Sequence, residues 1–528
     1  MSPRPGFVLE VDRSTPPTLF WHGEGYRLER LPVGSRVLYA PEPHEPLADP
    51  LAAIRHALAN PLGDAAPLSA QLRSGMKLTI AFDDLSLPLP PMRRPDIRQL
   101  VIEQVLDLAA TAGVDDVVLI CALALHRRLT EAELRHVVGD RIYDAFEPHG
   151  LLQQHDAEDP ANLVHLGLTD QGEDVEINKR AATSDLLVYV NINLVAMDGG
   201  HKSVATGLAS YQSLRHHHNA HTMTHSRSFM DQHRSELHSS NWRMGRLIRQ
   251  AGVKVFQIET TLNTDTFPEQ FRFLQRREWE WSVRDRAAYM ASSKMLARTP
   301  DRITRSIFHS IKGPHRMTSV QAGEVEAVHE RTTANVYDQQ MVEVEGQTDV
   351  LTMGLPYICP YNVNSIMNPI LVACLGLGYF FNMYRGRPLV REGGVLIMSH
   401  PTPWAFNPVH HPSYIDFFEQ VLPETTDPAK IGAYEAAFAT DPWYIHLYRT
   451  GHAYHGVHPF YMWYWCAHAL DHLGAVIVVG GERAAVQRLG FKSASTMADA
   501  LEMATDIVGP APSLTHLHSP PLMLADVR

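Results

Sequence analysis

Several features of secreted and membrane proteins are scarce or missing in this 528-residue chain. No run of about 18 apolar residues is present to form a transmembrane helix, and Met1 to Pro5 lead into no apolar signal segment. The few cysteines are widely spaced and form no C-x-x-C pair: Cys121, Cys359, Cys374 and Cys466. A disulfide framework or a thiolate zinc site is therefore not expected. We predict a cytoplasmic protein with buried thiols and no membrane partner.

Positive charge is also in short supply. The chain has 46 Lys and Arg against 58 Asp and Glu, which gives a formal net charge of -12. Basic runs are short, such as Arg276-Arg277. This balance argues against a nucleic-acid surface. At 45% hydrophobic residues, the chain can bury a sizeable core, and its length suggests two large domains or three ordinary ones.

Familiar catalytic motifs are missing as well. The chain contains no P-loop, no G-x-G-x-x-G, no G-x-S-x-G and no H-E-x-x-H, and it has no internal repeat. Histidine, by contrast, is abundant, with 30 residues that cluster after position 200. That abundance points to metal binding or acid–base chemistry.

Short apolar runs alternate with helical patterns along most of the chain. The runs at 77–82, 117–122 and 186–192, and later at 348–353, 393–398 and 476–479, have the length of buried strands. Helices are predicted at 49–58, 96–112, 271–296 and 366–377. This alternation predicts an α/β fold with parallel sheets. We place two domains at 1–320 and 321–528, with the boundary between about 310 and 345.

Two polar sites follow the first two strands. Asp83-Asp84 ends the run 77–82, and His126 lies between the run 117–122 and a helix whose capping box begins at Thr130. Open α/β sheets bind ligands beyond the carboxyl ends of their strands. These residues are therefore candidate site residues, although a solvated acid pair and a structural histidine are the simpler interpretations.

The third strand leads to Gly199-Gly200-His201-Lys202, followed by His216, His217 and His218. A glycine pair allows a sharp turn that places one lysine, whose amine can form covalent adducts. Imidazole is a common metal ligand. The alternative is a short surface loop with solvated histidines.

A second histidine series, His452-x-x-His455-x-x-His458, precedes the aromatic run 460–465. Its spacing matches no established zinc pattern. We interpret it as the start of a buried aromatic helix rather than as a metal site.

Taken in order, these segments resemble the lactate racemase family, whose enzymes use a nickel pincer nucleotide. The segment 83–88 (Asp-Asp-Leu-Ser-Leu-Pro) is similar to the family's Asp-Asp-x-Thr-Arg-Pro motif, and 125–127 is similar to its Thr-His-Arg-Pro motif. The segment 199–202 resembles its Gly-Gly-x-Lys, and His218 falls where the family has Asn-His. The resemblance covers roughly residues 20–260, and the order of the motifs carries it.

The resemblance implies two α/β domains with a cofactor and substrate cleft between them. Lys202 would bind the nickel pincer nucleotide (Ni-pyridinium-3,5-bisthiocarboxylate mononucleotide) covalently through a thioamide, and His218 would bind nickel. Asp84 and Ser86 would lie near the nucleotide, and His126 would be one of two acid–base histidines. The implied reaction is racemisation or epimerisation of a 2-hydroxy acid by hydride transfer. The implied partners are this small substrate and the enzymes that make the cofactor.

Three departures from the family pattern suggest a substrate other than lactate. Leu87 stands where the family has arginine, and no Pro-His precedes Lys202. The lysine of the family's second-domain helix has no match in 366–377. The second acid–base residue is therefore unassigned, with His201, Asp198 and His155 as candidates. Two alternatives stay open: a related cofactor-dependent oxidoreductase, and a non-catalytic protein that binds nickel or a nucleotide.

Overall fold

The computed structural model describes residues 3–86, 90–518 and 522–528. The strands are β1 Phe7–Glu10, β2 Thr18–Gly23, β3 Tyr26–Glu29, β4 Arg36–Tyr39, β5 Lys77–Asp83, β6 Asp116–Ala122, β7 Leu152–Gln154, β8 Leu163–Leu168, β9 Asp174–Asn178, β10 Leu186–Asn193, β11 Val255–Leu262, β12 Met317–Gly323, β13 Met341–Val344, β14 Thr348–Pro356, β15 Tyr384–Arg385, β16 Val390–Ser399, β17 Ala475–Val479, β18 Lys492–Ala494, β19 Leu514–Leu517 and β20 Leu524–Val527.

The α-helices are α1 Pro50–Ala59, α2 Leu68–Gln71, α3 Ile97–Thr111, α4 Glu131–Val138, α5 Asp140–Phe146, α6 Lys179–Ala182, α7 Lys202–Gly207, α8 Tyr211–Leu214, α9 Ala220–His225, α10 Glu236–Gln250, α11 Val283–Leu296, α12 Asp301–Ser310, α13 Val325–Gln340, α14 Pro369–Ala373, α15 Pro412–Asp416, α16 Pro428–Ala439, α17 Pro442–Thr450, α18 His458–Tyr464, α19 Ala467–His472, α20 Arg483–Arg488 and α21 Met497–Val508. Two π-helices extend α14 and α15, over Cys374–Phe380 and Phe417–Val421. None of the helices in the described ranges is both long and apolar enough to cross a bilayer.

The first sheet has the strand order β12-β11-β10-β5-β6-β7 within the described residues. All its neighbours are parallel except β12, which runs antiparallel to β11. Every residue of β10 is buried, as expected for a parallel strand covered on both faces. The chain leaves β5 on one side through β6 and returns on the other through β10. The carboxyl ends of these three strands therefore meet at a topological switch point, where open α/β sheets bind ligands.

The second sheet is built mainly from the last third of the chain, in the order β1-β4-β19-β14-β16-β17-β18 over the described part. Its central strands β19, β14, β16 and β17 are parallel, which confirms the predicted α/β fold. Strands β1 to β4, from the start of the chain, also join this sheet. The predicted division at 320/321 falls within β12, at the edge of the first sheet. It did not anticipate that the strands of residues 7–39 pair with strands of the second sheet. The domain bounds themselves remain a prediction.

Local sequence signals place most of the predicted helices and strands. Asp96 caps α3, and the Thr130 capping box starts α4, as predicted. The predicted helix at 271–296 is wrong in its first half. Short 3-10 turns occupy that half, and α11 begins only at Val283, where Ser282 and Asp285 form its capping box. These capping residues are a later start signal that the helical spacing obscured.

Candidate active site

The five residues singled out from the sequence come together. The carboxyl ends of β10, β5 and β6 open into a cavity of about 140 Å³. Its lining includes all of them: Asp84, Ser86, His126, Lys202 and His218. We call the lining residues from Asp83 to His218 the first wall. This wall holds all the aspartate, lysine and histidine side chains among the described lining residues.

Asp84, Ser86 and His126 form one hydrogen-bonded unit. The Nδ1 of His126 lies 2.8 Å from Asp84 Oδ2 and 2.9 Å from Ser86 Oγ, and the Ser86 N–H donates to Asp84 Oδ1 at 2.9 Å. Burial would raise the pKa of Asp84, but His126 and the Ser86 hydrogen bonds hold it below its usual value. The ionised carboxylate can only accept, so His126 donates from Nδ1 and keeps Nε2 free to accept a proton.

The turn before Lys202 requires glycine. Gly199 and Gly200 have φ of 91° and 61°, which favour glycine strongly. A Cβ on Gly199 would lie 2.6 Å from Glu259 Oε1, the oxygen that accepts the Gly200 N–H at 2.7 Å. The turn therefore presses against a buried carboxylate, which holds it in place, and α7 begins at Lys202.

Lys202 has one ion-pair partner among the described residues, the neighbouring Asp198. Its Nζ donates to the Met197 carbonyl at 3.3 Å and lies 3.6 Å from Asp198 Oδ1. Asp198 also lines the cavity, and burial raises its pKa. The amine is thus accessible for a covalent bond and has a carboxyl group beside it that could take a proton.

Of the clustered histidines, only His218 lines the cavity within the described chain. Its Nδ1 lies 2.7 Å from His217 Nδ1, and His217 Nε2 lies 3.4 Å from the Ala205 carbonyl. Because that carbonyl can only accept, His217 donates to it from Nε2 and accepts from His218 at Nδ1. Burial lowers the pKa of His218 well below its usual value, so the ring is neutral. Its Nε2 therefore carries a free lone pair, the form that binds metals.

His216 and His221 lie elsewhere. His216 is half-buried, 3.7 Å from Asp174, and His221 stacks on His225. The sequence could not distinguish these histidines from His218. Which of them lines the cavity depends on how the short helical segment that carries them is oriented.

Asp83, next to Asp84, has a different role. Its carboxylate accepts from Tyr189 Oη at 3.1 Å, Asn191 Nδ2 at 2.5 Å and the Ile192 N–H at 2.7 Å, which ties β5 to β10. Burial raises the pKa of Asp83 to about 7, against the opposing effect of the Ile192 N–H. We interpret Asp83 as a structural acid at the floor of the cavity.

The opposite side of the cavity comes from the last third of the chain and was not predicted. This second wall consists of Pro360, Tyr361, Tyr379 and Trp465. The hydroxyls of Tyr361 and Tyr379 lie 2.8 Å apart, and Tyr379 stacks on Trp465 with ring centroids 5.6 Å apart. Tyr379 lies in the π-helix that continues α14, and such bulges are frequent at functional sites. Trp465 ends the predicted aromatic run, which is buried as expected.

Two of the remaining candidate residues lie outside the cavity and have other hydrogen-bond partners. His201 pairs with Glu326 at 3.0 Å, and the buried His155 Nε2 lies 2.9 Å from the Ala209 carbonyl. Of the three candidates for the second acid–base residue, only Asp198 lines the cavity. Leu87, the position of the family's arginine, lies outside the described residues.

The series at 452, 455 and 458 forms no metal site. Each ring has a separate partner: the Arg128 carbonyl for His452, Glu158 for His455 and Tyr414 for His458. Over the described residues, no three His, Cys, Asp or Glu side chains are grouped to hold a metal ion.

The donor set of the cavity suits part of the cofactor that the resemblance implies. A lysine amine that lines the cavity and a neutral imidazole with a free Nε2 suit its thioamide link and its nickel. Lys202 is the single lysine or arginine among the described lining residues, so the nucleotide phosphate finds little further positive charge there. The residues therefore fit the reactive part of the group.

The fold and the cavity define an α/β protein with a polar, lysine-containing site at a sheet switch point. Residues 25–231 match the family model for the lactate racemase N-terminal domain. The lactate racemase of Lactiplantibacillus plantarum is 28% identical over 169 residues, which cover 31% of this chain and 37% of that protein. This region of the chain is similar to the lactate racemase N-terminal domain, and the match spans 37% of the length of the curated relative.

Solved structures extend the likeness of fold to nearly the whole chain. The lactate racemase apoprotein from Thermoanaerobacterium thermosaccharolyticum has a TM-score of 0.60 at 17% identity, covering 96% of this chain and 99% of that chain. A Thermotoga maritima protein has a TM-score of 0.51 at 13% identity, covering 92% of this chain and 100% of that one. At these identities the likeness concerns the fold alone.

Proposed function

We propose that the chain is a racemase or epimerase of a 2-hydroxy acid, lactate-like or larger, that works with a nickel pincer nucleotide. The observation that carries this proposal is the shared cavity of the Asp84–His126 unit, Lys202 and His218. These are an oriented acid–base residue, a nucleophilic amine and a neutral metal ligand. The lactate racemase domain supports the reaction class.

In this proposal, His126 takes the substrate hydroxyl proton at Nε2 and later returns it, while Asp84 and Ser86 hold its ring in the required tautomer. Lys202 would hold the cofactor through a thioamide, and His218 would bind nickel through Nε2. The chemistry that the group would supply is reversible hydride transfer at the substrate carbon, which would allow reduction of the planar keto acid on either face. The second wall excludes water and faces the substrate side chain.

The test is intact-mass spectrometry with metal analysis on protein co-produced with the cofactor-making enzymes. We expect a covalent adduct on Lys202, stoichiometric nickel, and racemisation of at least one acid in a panel of 2-hydroxy acids. Lys202→Ala should lose the adduct and the activity, while Lys254→Ala, a lysine away from the cavity, should retain both. An adduct and full activity in Lys202→Ala would refute the proposal.

A related oxidoreductase is the second candidate. The observation that favours it is that His126 and His218 are the two histidines among the described lining residues, so a second acid–base histidine is missing there. One base suffices to remove the hydroxyl proton in a net oxidation. Accumulation of keto acid without the opposite enantiomer would support this activity over racemisation. A chain that binds the cofactor but converts none of the panel would instead point to the non-catalytic alternative.

We further propose that the cavity is the cleft between an N-terminal domain, 1–320, and a C-terminal domain, 321–528, with residues 7–39 packed on the latter. Each wall then comes from one domain. Limited proteolysis should cut first near the boundary and should slow when the cofactor is bound. Equal rates with and without cofactor would argue against a site between domains.

A further inference from the structure

Next to the proposed nickel ligand lies a fully buried histidine to which the proposed function gives no role. His217 has no exposed surface, whereas its neighbour His218 is 8% exposed and lines the cavity. The two side chains meet through their Nδ1 atoms, which lie 2.7 Å apart. At this distance the two nitrogens share a hydrogen bond, so one ring donates and the other accepts.

The second nitrogen of His217 decides the direction of that bond. Its Nε2 lies 3.4 Å from the carbonyl oxygen of Ala205, near the end of α7. The last carbonyls of a helix have no partner further along the helix, so they take a donor from elsewhere. Because a carbonyl can only accept, the hydrogen of the His217 ring is on Nε2, and its Nδ1 carries a lone pair. His218 is therefore the ring that donates from Nδ1.

This direction sets the tautomer of His218. With its hydrogen held on Nδ1, the ring presents the lone pair of Nε2 to the cavity side, which is the form that a metal needs. Metal-binding histidines almost always donate their second nitrogen to a fixed acceptor, and this contact fixes the tautomer and the ring orientation. The usual acceptor is a carboxylate, a backbone carbonyl or water, and here the Nδ1 of His217 takes that place.

The same hydrogen bonds lead to the helix of the reactive lysine. α7 begins at Lys202, and Ala205 lies three residues further along it. Two consecutive hydrogen bonds, through the ring of His217, therefore join this helix to His218. A shift of the helix that carries the amine would change the acceptor that orients the metal ligand.

We propose that His217 is a positioning residue, which holds His218 in the tautomer that binds nickel and ties that ligand to the helix of Lys202. This inference rests on the proposed function. The hydrogen bonds of His217 go to His218 and to α7, and the role requires no contact with substrate or cofactor. Loss of His217 should therefore weaken metal binding without preventing the covalent bond at Lys202.

The first test measures nickel and the adduct separately on cofactor-loaded protein. His217→Phe keeps a buried ring but removes the acceptor, so the nickel affinity, measured by competition with a chelator, should fall about 10–100-fold. The mass of the Lys202 adduct should be unchanged. His217→Asn should recover much of the affinity, because its amide oxygen can take the place of Nδ1 and accept from His218.

The matched control is His155→Phe. His155 is also buried and has its Nε2 2.9 Å from a backbone carbonyl, that of Ala209, but it lies outside the cavity. This substitution removes a similar contact without touching His218, so it should leave the nickel affinity unchanged.

The second test needs neither turnover nor cofactor. In protein with ¹⁵N-labelled histidine rings, the His218 signal is identified by its loss in His218→Gln. We expect the hydrogen on Nδ1 and none on Nε2 in the wild type and in His217→Asn. Both tautomers should be populated in His217→Phe. Since the wild type is measured as well, this test also holds if His217→Phe does not fold.

The outcomes separate this inference from the proposed function. A His218 ring protonated at Nε2 in the wild type would overturn the role of His217, and so would equal losses of nickel affinity in His217→Phe and His155→Phe. Wild-type protein that gains neither adduct nor nickel would refute the proposed function instead. The dependence of the His218 tautomer on residue 217 would then still decide whether His217 positions this ring.

Discussion

The two walls of the cavity differ in chemistry and in how they are built. The first wall lies at the ends of three adjacent parallel strands and carries carboxylates, a lysine and two histidines. The second wall comes from the last third of the chain, from the turn after β14, the π-helix that continues α14 and the end of α18, and its lining residues are proline, tyrosine and tryptophan. Strand ends expose polar side chains to a shared edge, while these segments present rings. Under the proposed function, the first wall transfers protons and the second shapes the substrate site.

The strongest test of this contrast is Asp84→Asn. The amide can donate to His126 Nδ1, which would move the ring hydrogen to Nε2 and leave no lone pair for the substrate proton. We expect kcat/KM to fall on the order of 10²–10⁴-fold with little loss of stability. Steady-state kinetics with the acid found in the panel measures this.

The matched control is Asp174→Asn. Asp174 pairs with His165 at 3.1 Å at the surface. The substitution therefore changes the same kind of contact as Asp84→Asn, but outside the cavity. Its kcat/KM should change less than about twofold. Comparable losses in both variants would mean that the Asp84–His126 pair is structural.

A smaller effect is expected on the second wall. Tyr379→Phe removes one hydroxyl of the Tyr361–Tyr379 pair and leaves the other without this partner. We expect a stability loss of about 1–3 kcal/mol and a change in kcat/KM of about tenfold or less. Denaturant unfolding and kinetics measure the two effects, with the exposed Tyr434→Phe as the control. A loss that matches Asp84→Asn would show that the second wall takes part directly in proton transfer.

The smallest effect concerns the floor of the cavity. The pKa of Asp83 is raised from 3.8 to about 7, so the folded state binds a proton that the unfolded state releases. The stability from this proton is fully present below about pH 4 and is lost as the pH rises through about 7. The melting temperature of the wild type, measured by thermal denaturation, should therefore fall relative to that of Asp83→Asn as the pH rises from 5 to 8. A constant difference between the two proteins would contradict this assignment.

Much of the first wall could be predicted because its signals are local. An apolar run followed by Asp83-Asp84, a capping box after His126 and a glycine pair before Lys202 all lie within a few residues of the strands that position them. The parallel-sheet rule then brings three separate strand ends to one edge. The choice of His218 among its neighbours required the family resemblance, since spacing alone did not distinguish it.

The second wall could not be predicted, since Tyr361, Tyr379 and Trp465 are far apart in sequence and look like core aromatics. They are indeed buried, and only the tertiary packing of the turn after β14, the π-helix and the end of α18 brings them to the cavity. The pairing of β1 to β4 with the last third was missed for the same reason, as it depends on contacts more than 300 residues apart.

The sequence by itself determined the fold class, the main strands and the chemistry of the first wall, because hydrophobic periodicity, capping and turn residues act over short distances. The tertiary structure alone decided which histidine faces the cavity, which nitrogens carry protons, and which aromatic residues close the site. These depend on burial and on hydrogen-bond partners brought from distant parts of the chain, and neither is encoded in local spacing.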